Sequence, residues 1–475
     1  MKSARNLLHY NDMIKRTKIV CTIGPASSSP ETIRAMITSG MNVARINMSH
    51  GTHQEHRETI ERVRAVAHSL GVPVAVMADT KGPAIRTGEL KTEKVFLKQG
   101  QRLTLVEDPV LGDETQISIS YKGLSQHVRP GMKILLANGE IELTVLEVHP
   151  GRIVCEVQNS RELGERKRVT IPEVTLPGIV QTDEDDIRFA QHAGVDYIAA
   201  SFVQTGLDID HIRKLLGPTD IEIIAKIETR EAARNIDDII AASDGVMVAR
   251  GDLGVELPPE EVPLLQKEIV RKCNRAGKPV IIATQMLKSM TENPMPTRAE
   301  VADVANAILD GTDAIMLSEE TAVGKYPVEA VRMMSRIAER IERSPAIYHR
   351  YEMSEGTVAE AIGESACQIA DRIGAAAIIP STTSGSTAKL VAKFRPKAPI
   401  IAVTYTERVR NKLALVWGVY PVQVTFFKDT DAMLKLSIEA AAKAGQLPSG
   451  SFVVITAGVP FGVPGTTNLI KVERI

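Results

Sequence analysis

From Lys18 to Glu319, short apolar runs rich in β-branched residues alternate with amphipathic stretches. The runs are Lys18 to Gly24, Asn42 to Met48, Val74 to Thr80, Tyr197 to Phe202, Glu222 to Glu228, Val246 to Asp252, Pro279 to Gln285 and Asp313 to Glu319. Each has the length of a strand. None alternates strictly between apolar and polar residues, which is the pattern of strands buried on both faces. The stretches between them, such as His53 to Leu70, Glu184 to Ala193 and Pro259 to Ala276, carry a helical period. Glycine stands just before the next strand at Gly40, Gly71, Gly194, Gly217, Gly245, Gly277 and Gly311, as it does where a helix ends in a left-handed turn. Eight alternations of this kind predict parallel pairing with right-handed crossovers, and the simplest closed solution is a (β/α)8 TIM barrel.

Two intervals depart from the period. Between the third run and the helical pattern near Thr182 the chain alternates apolar with polar positions, as in Lys133 to Leu146, and Asn138-Gly139 is a strong hairpin signal. This predicts a small β-barrel-like domain inserted in a βα loop, where it lies over the open end of the barrel as a lid. After about residue 350 a second α/β pattern begins. Its strand candidates are Ala375 to Pro380, Pro399 to Thr404, Val419 to Val424, Ser451 to Thr456 and Asn468 to Val472, an open doubly wound sheet. The predicted division is an N-terminal extension at 1–13, a barrel at 14–82 and 180–350, an inserted lid domain at 83–179, and a C-terminal α/β regulatory domain at 351–475.

Composition narrows the functional classes. The net charge of −1 over 475 residues and an aromatic content of 4% argue against nucleic-acid and membrane-surface binding. Cys21, Cys155, Cys273 and Cys367 are too scattered for a disulfide framework or a zinc site, and four reduced thiols fit a cytoplasmic protein. Met1 to Asn11 lacks the apolar segment of a signal peptide, and no run approaches a membrane span.

In such a barrel the chemistry collects at the C-terminal ends of the strands. Here those ends are polar: Arg45, Asn47, Ser49 and His50; Asp79, Thr80 and Lys81; Lys226 and Glu228; Arg250, Gly251 and Asp252; Thr284 and Gln285; Ser318, Glu319 and Glu320. The period of two puts Lys226 and Glu228 on one face, and the neighbouring fifth and sixth strands are expected to present Glu228 and Asp252 together. One or two carboxylates completed by water and substrate oxygens suit Mg²⁺, and softer ligands for zinc or iron are absent from this set. Arg45, Arg86 and Lys226 supply the positive charge that phosphoryl transfer needs. There is no Walker A loop, because Gly277-Lys278 and Gly324-Lys325 are followed by Pro and Tyr.

The segments Thr17-Lys-Ile-Val-Cys-Thr-Ile-Gly-Pro25, Asn42-Val-Ala-Arg-Ile-Asn-Met-Ser-His-Gly51, Asp79-Thr-Lys-Gly-Pro-Ala-Ile-Arg86 and Met247-Val-Ala-Arg-Gly-Asp-Leu-Gly-Val-Glu256 resemble those of pyruvate kinases. So does Asn293-Pro-Met-Pro-Thr-Arg-Ala-Glu-Val-Ala-Asp-Val-Ala-Asn306, and the likeness runs from about residue 14 to the C-terminus. The resemblance implies conversion of phosphoenolpyruvate and ADP to pyruvate and ATP, the last step of glycolysis, by a homotetramer. It implies that Glu228 and Asp252 hold Mg²⁺, that Arg45 contacts the transferred phosphoryl group, and that Lys226 stabilises the enolate. Gly251, Asp252 and Thr284 would hold the substrate carboxylate, with Thr284 also in the proton relay. Asn47, His50, Arg86 and Lys167 would meet the nucleotide, and Asn47, Ser49, Asp79 and Thr80 match ligands for K⁺.

Three positions depart from that pattern. Ala84 replaces the usual Glu or Lys that accompanies the monovalent site, Arg168-Val169-Thr170 replaces the common Gly-Val-Asn, and Glu319 replaces Gly. In the C-terminal region Thr382, Thr383, Ser384, Gly385, Ser386 and Thr387 precede a helical run, a composition suited to cradling phosphate. The resemblance makes this loop the site of a phosphorylated effector. The loop Gly458 to Gly465 carries no arginine, which favours a monophosphate such as AMP or a pentose phosphate over a sugar bisphosphate. Two other readings share these residues, a magnesium-dependent lyase or aldolase and a non-catalytic regulator. The inserted domain with Arg86 and Lys167 favours the kinase over the first, and the intact set of Arg45, Lys226, Glu228, Asp252 and Thr284 argues against the second.

Overall fold

The structure, a computed structural model, describes residues 15–82, 85–137, 139–172, 181–344, 356–427, 429–459 and 466–475. The expectations for the N-terminal extension, Ala84, Asn138 and most of the loop after Gly458 therefore fall outside the described residues.

Among the described residues eight parallel strands close a barrel. They are β1 (Lys18–Ile23), β2 (Val43–Asn47), β3 (Ala75–Asp79), β4 (Tyr197–Ala200), β5 (Glu222–Ile227), β6 (Gly245–Ala249), β7 (Val280–Ala283) and β8 (Ala314–Leu317). β1 pairs with both β2 and β8, which completes the ring. Alternate strand residues fill the interior: Val20, Val43, Met77, Tyr197, Ile224, Met247, Ile281 and Met316 form one buried cluster. Ala414 and Leu415 of the C-terminal region join that cluster and close one end of the barrel. The other strand faces pack outward against the helices through Ile19, Ile46, Val76, Ile198, Ile223, Val248 and Ile282. Burial on both faces is why the strands read as unbroken apolar runs.

The helices start and stop where their termini are satisfied. Thr52 and Glu55 form a capping box at the start of His53–Leu70, and Gly71 ends it at φ +68°. Thr297 and Glu300 do the same for Arg298–Leu309.

Between β3 and β4 lies a separate seven-stranded sheet with its own core of Leu103, Leu105, Ile134, Leu136, Leu143 and Ile153. Its hairpin joins Lys133–Leu136 to Ile141–His149. The C-terminal sheet runs in the order Val419–Gln423, Ile400–Thr404, Ala377–Ser381, Phe452–Gly458 and Thr467–Arg474, four parallel strands with an antiparallel edge. Arg395 ties this unit to the barrel, donating to Asp313 Oδ1 at 3.2 Å, Asn274 Oδ1 at 2.6 Å and the Gly311 carbonyl at 2.9 Å. No helix among the described residues is long and apolar enough to cross a membrane.

Several strand ends differ from the sequence reading. β6 stops at Ala249, and Arg250, Gly251 and Asp252 begin a short helix, Arg250–Glu256. β8 stops at Leu317, and Glu319 opens another, Glu319–Ala322. Apolar content cannot mark these boundaries, because the first turn after a buried strand is itself partly buried. An acidic residue in the first turn, such as Asp252, is the local signal that a helix has begun. On the helix His53–Leu70, His56 is buried beside the Phe189 ring.

Candidate active site

The C-terminal rim of the barrel gathers charge from three strands around Lys226. The strand period carries Lys226 to the inside of β5, where its ammonium donates to Asp79 Oδ1 at 2.9 Å and to Ser201 Oγ at 2.6 Å. Glu228 Oε1 lies 2.8 Å from the same ammonium. The three charged side chains are almost wholly covered, at 10% exposure for Lys226, 1% for Asp79 and 2% for Glu228. Burial pulls the Lys226 ammonium towards neutrality, but Asp79 and Glu228 outweigh it and hold its pKa above the usual lysine range. Burial likewise opposes ionisation of Asp79, and the charges of Arg45 and Lys226 reverse that and hold it below the usual carboxylate range.

Arg45 comes from β2. Its Nε donates to Asp79 Oδ2 at 2.6 Å, and one terminal nitrogen donates to Thr22 Oγ1 at 2.9 Å. Asp79 thus orients both cations at once, one on each oxygen. Ser201 completes this corner: its hydroxyl donates to the Thr80 carbonyl at 2.6 Å and its amide to Thr80 Oγ1 at 3.1 Å. Asn47 Oδ1 accepts the Ser49 amide at 3.2 Å, which folds the turn after β2. His50 is exposed. Partial burial and the positive charges of Arg86, Lys81 and Arg45 push its pKa below the ordinary histidine range, so a patch of cations borders the mouth on this side.

Across the mouth, Gly251 and Thr284 touch. The Gly251 amide donates to Thr284 Oγ1 at 2.7 Å, and that hydroxyl donates to the Ala283 carbonyl at 2.6 Å. A Cβ at Gly251 would come within 3.3 Å of Thr284 Oγ1, so glycine keeps this approach open. Thr284 and Gln285 hold left-handed backbone angles, φ +70° and +57°. Strain in non-glycine residues persists where surrounding contacts enforce it. Here Arg250 does so, donating to the Thr284 carbonyl at 2.8 Å while forking onto Asp303 with two bonds of 2.7 Å. A cavity of about 1360 Å³ opens beside these residues and is lined by Asp252, Thr284, Lys288, Ser318 and Glu319 among others. The Ser318 hydroxyl is buried there and has no hydrogen-bond partner among the described residues. Glu319 is exposed and paired with Lys288 across the rim.

Glu228 and Asp252 are the hard oxygen donors expected for a divalent ion, and both meet cations of the protein: Glu228 meets Lys226, and Asp252 ion-pairs with Arg168 of the inserted domain. Among the described residues no cluster of three or more His, Cys, Asp and Glu forms a ready metal cage. Two carboxylates completed by substrate and water are the usual holding for Mg²⁺, so the donor chemistry fits. Arg86 lies on the sheet register opposite Arg168 and donates to the Arg166 carbonyl at 3.2 Å. Lys167 is exposed, its stem against Gly164, while the side chain of Arg168, the first residue of the strand Arg168–Thr170, is largely covered.

Sequence reasoning gave no role to Thr22, Ser201, Phe202 or Arg168. The ends of β1 and β4 are the two strand ends outside the polar set above, although a serine follows the apolar run at Ser201.

In the C-terminal sheet, the Thr382 hydroxyl accepts the Gly385 amide at 2.9 Å, and Gly385 has φ +93° ahead of the helix Ser386–Lys393. Ser384 Oγ and Ser386 Oγ are 3.0 Å apart, and Thr387 Oγ1 lies 2.9 Å from Thr467 Oγ1. Thr383 is half-buried in the same loop.

Comparison with known proteins agrees with this arrangement over both regions. The family model described as pyruvate kinase, barrel domain, matches residues 14–331, and that described as pyruvate kinase, alpha/beta domain, matches residues 360–473. The chain is 50% identical to a pyruvate kinase of Geobacillus stearothermophilus over 474 residues, which covers 98% of this chain and 81% of that protein. It is 49% identical to one from Sporosarcina psychrophila over 97% of this chain and 81% of that protein. It is 46% identical to one from Clostridium acetobutylicum over 97% of this chain and the whole of that protein.

Proposed function

Because this chain belongs to the pyruvate kinase family, we propose that the charges around Lys226 carry the phosphoryl group of phosphoenolpyruvate to ADP. The chain is a phosphotransferase, its substrates are those of the family, and the family's dependence on a divalent and a monovalent cation applies to it. The observation that carries the residue assignment is the buried Lys226 ammonium, held protonated by Asp79 and Glu228 beside Arg45.

A phosphoryl donor bound at the mouth meets Arg45, whose guanidinium is fixed by Asp79 and Thr22 and needs no reorganisation. As the bond between phosphorus and the enol oxygen breaks, negative charge grows on that oxygen. Lys226 is placed to stabilise it, and the low-dielectric pocket magnifies the attraction. The Gly251 amide and Thr284 hydroxyl are suited to the substrate carboxylate, and the same hydroxyl can pass a proton to the enolate carbon. Glu228 and Asp252 would hold Mg²⁺, which when bound supplies Lewis-acid charge to the reacting oxygens. Arg86, His50 and Asn47, with Lys167 on the lid, serve the nucleotide. A coupled assay with phosphoenolpyruvate, ADP and Mg²⁺ tests the whole reading, and absence of pyruvate formation overturns it.

Asn47, Ser49, Asp79 and Thr80 are the proposed K⁺ ligands, and the link from Asp79 to both active-site cations gives such an ion a route to the chemistry. Full activity in a tetraalkylammonium salt without K⁺ would refute this. The Thr382–Thr387 loop is the proposed effector site, with a monophosphate as the ligand. Activation by fructose 1,6-bisphosphate without response to AMP or ribose 5-phosphate would overturn that choice. The division into extension, barrel, lid and regulatory units, a homotetrameric assembly and a cytoplasmic location complete the proposal. Buried, unpaired thiols at all four cysteines support the last.

A further inference from the structure

The inserted domain sends an arginine side chain into the barrel mouth. The strand Arg168–Thr170 is fixed in its sheet by antiparallel pairing with Ile85–Arg86 on one side and Lys133–Leu136 on the other. From that strand the Arg168 guanidinium crosses to the barrel and ion-pairs with Asp252. Only 13% of the side chain is exposed. Its planar group lies over the Phe202 ring, 4.9 Å from the centroid, and the charges of Glu228 and Glu256 act on it as well.

The seat beneath it is built. Phe202 holds a left-handed backbone, φ +56°, which presents its ring under the guanidinium. Gly82 leaves room for that ring, since a Cβ at Gly82 would come within 2.3 Å of it. A solvated surface pair would have neither the covered stem nor the aromatic platform. Asp252 is a carboxylate assigned above to the divalent ion, so two positive groups have a claim on it.

We propose that Arg168 is a tethered counter-ion that latches the inserted domain onto the barrel mouth and competes with the divalent cation for Asp252. The inference rests on the assignment of Asp252 as a metal ligand. Its consequence is reciprocal: contacts that hold the lid down weaken metal binding by the same factor by which the metal weakens the latch. The fork of arginine suits this use, because it can pair with a carboxylate in a covered site and release it without changing its protonation.

The test uses the full-length protein without substrates and Mn²⁺ as the spectroscopic probe. Arg168→Ala should bind Mn²⁺ about 5- to 50-fold more tightly than wild type by electron paramagnetic resonance titration, and Arg168→Lys should fall between. Spin labels at Lys98→Cys on the inserted domain and Leu264→Cys on the barrel report the lid, since both positions are exposed and all four native cysteines are buried. Mg²⁺ should shift or broaden the distance distribution in wild type, and Arg168→Ala should show that distribution without metal. Unchanged or weaker Mn²⁺ affinity in Arg168→Ala and Arg168→Lys, with circular dichroism intact, overturns the latch. Wild-type Mn²⁺ affinity in Asp252→Asn overturns instead the metal assignment beneath it.

Discussion

At the residue scale the site is governed by how buried charges are balanced. Lys226 is covered yet charged because Asp79 and Glu228 lie at hydrogen-bonding distance. Its interaction with an enol oxygen strengthens as that oxygen gains charge, so its loss falls on turnover. Lys226→Met should lower kcat by about 10²- to 10³-fold while leaving phosphoenolpyruvate binding largely intact, checked by steady-state kinetics beside equilibrium binding. Glu256 shows the opposite balance. Burial pushes its carboxyl up to about 7, with Arg168 and Arg230 pulling less strongly the other way. The folded value lies above the ordinary 4.5, so the fold binds a proton that the unfolded chain releases. That contribution is complete below pH 4.5 and is lost as the pH rises through 7. Urea midpoints of Glu256→Gln should therefore lack part of the decline that wild type shows over this window.

At the scale of elements, the mouth depends on short segments that follow the strands. The helix Arg250–Glu256 carries Gly251 and Asp252, and Arg250 joins it both to the strained Thr284 after β7 and to Asp303 on Arg298–Leu309. Asp303→Ala would leave a covered guanidinium without its forked partner. The expected cost is about 1–3 kcal/mol, reduced because Asp303 is partly exposed, and measurable as a lower denaturant midpoint. Thr284 would lose its support in the same variant, so kcat should fall along with stability. A stability loss with full kcat would show that Arg250 does not position Thr284. The helices behind the barrel were legible because their caps and apolar stripes are local. His53–Leu70 was read from the sequence with the same bounds it has in the structure. The handover from β6 to its helix was not, since Val246 to Asp252 has no glycine or proline to break the apolar run except at Gly251, inside the helix.

At the scale of the whole molecule, the C-terminal unit is locked to the barrel through covered charge. Arg395 and Asp313 are 5% and 7% exposed, and the guanidinium also lies over Trp417, 4.7 Å from its ring. Removing one partner of such a pair strands the other charge, at about 3–5 kcal/mol. Arg395→Ala should loosen the docking and separate thermal unfolding into two calorimetric transitions; a single transition at the wild-type midpoint would contradict this. The sealing of the barrel by Ala414 and Leu415 provides a second seam between the same units. Sedimentation of wild type and of this variant would show whether the proposed tetramer depends on the docking.

The sequence by itself determined where the eight barrel strands lie, their alternation with helices, and most of the polar side chains that gather after them. Those are consequences of burial and of periods of two and 3.6 residues, which act over a few neighbours. It also brought Lys226 and Glu228 together, because two residues along one strand share a face. Tertiary structure decided which charge meets which. Lys226 and Asp79 are separated by 147 residues in sequence, and nothing local chooses Asp79 over other acids. Arg168 meets Asp252 only because the inserted sheet folds back onto the barrel. Coulomb attraction depends on distance through space and on exclusion of water, and both are fixed only when the ring of strands closes and the added domains settle against it.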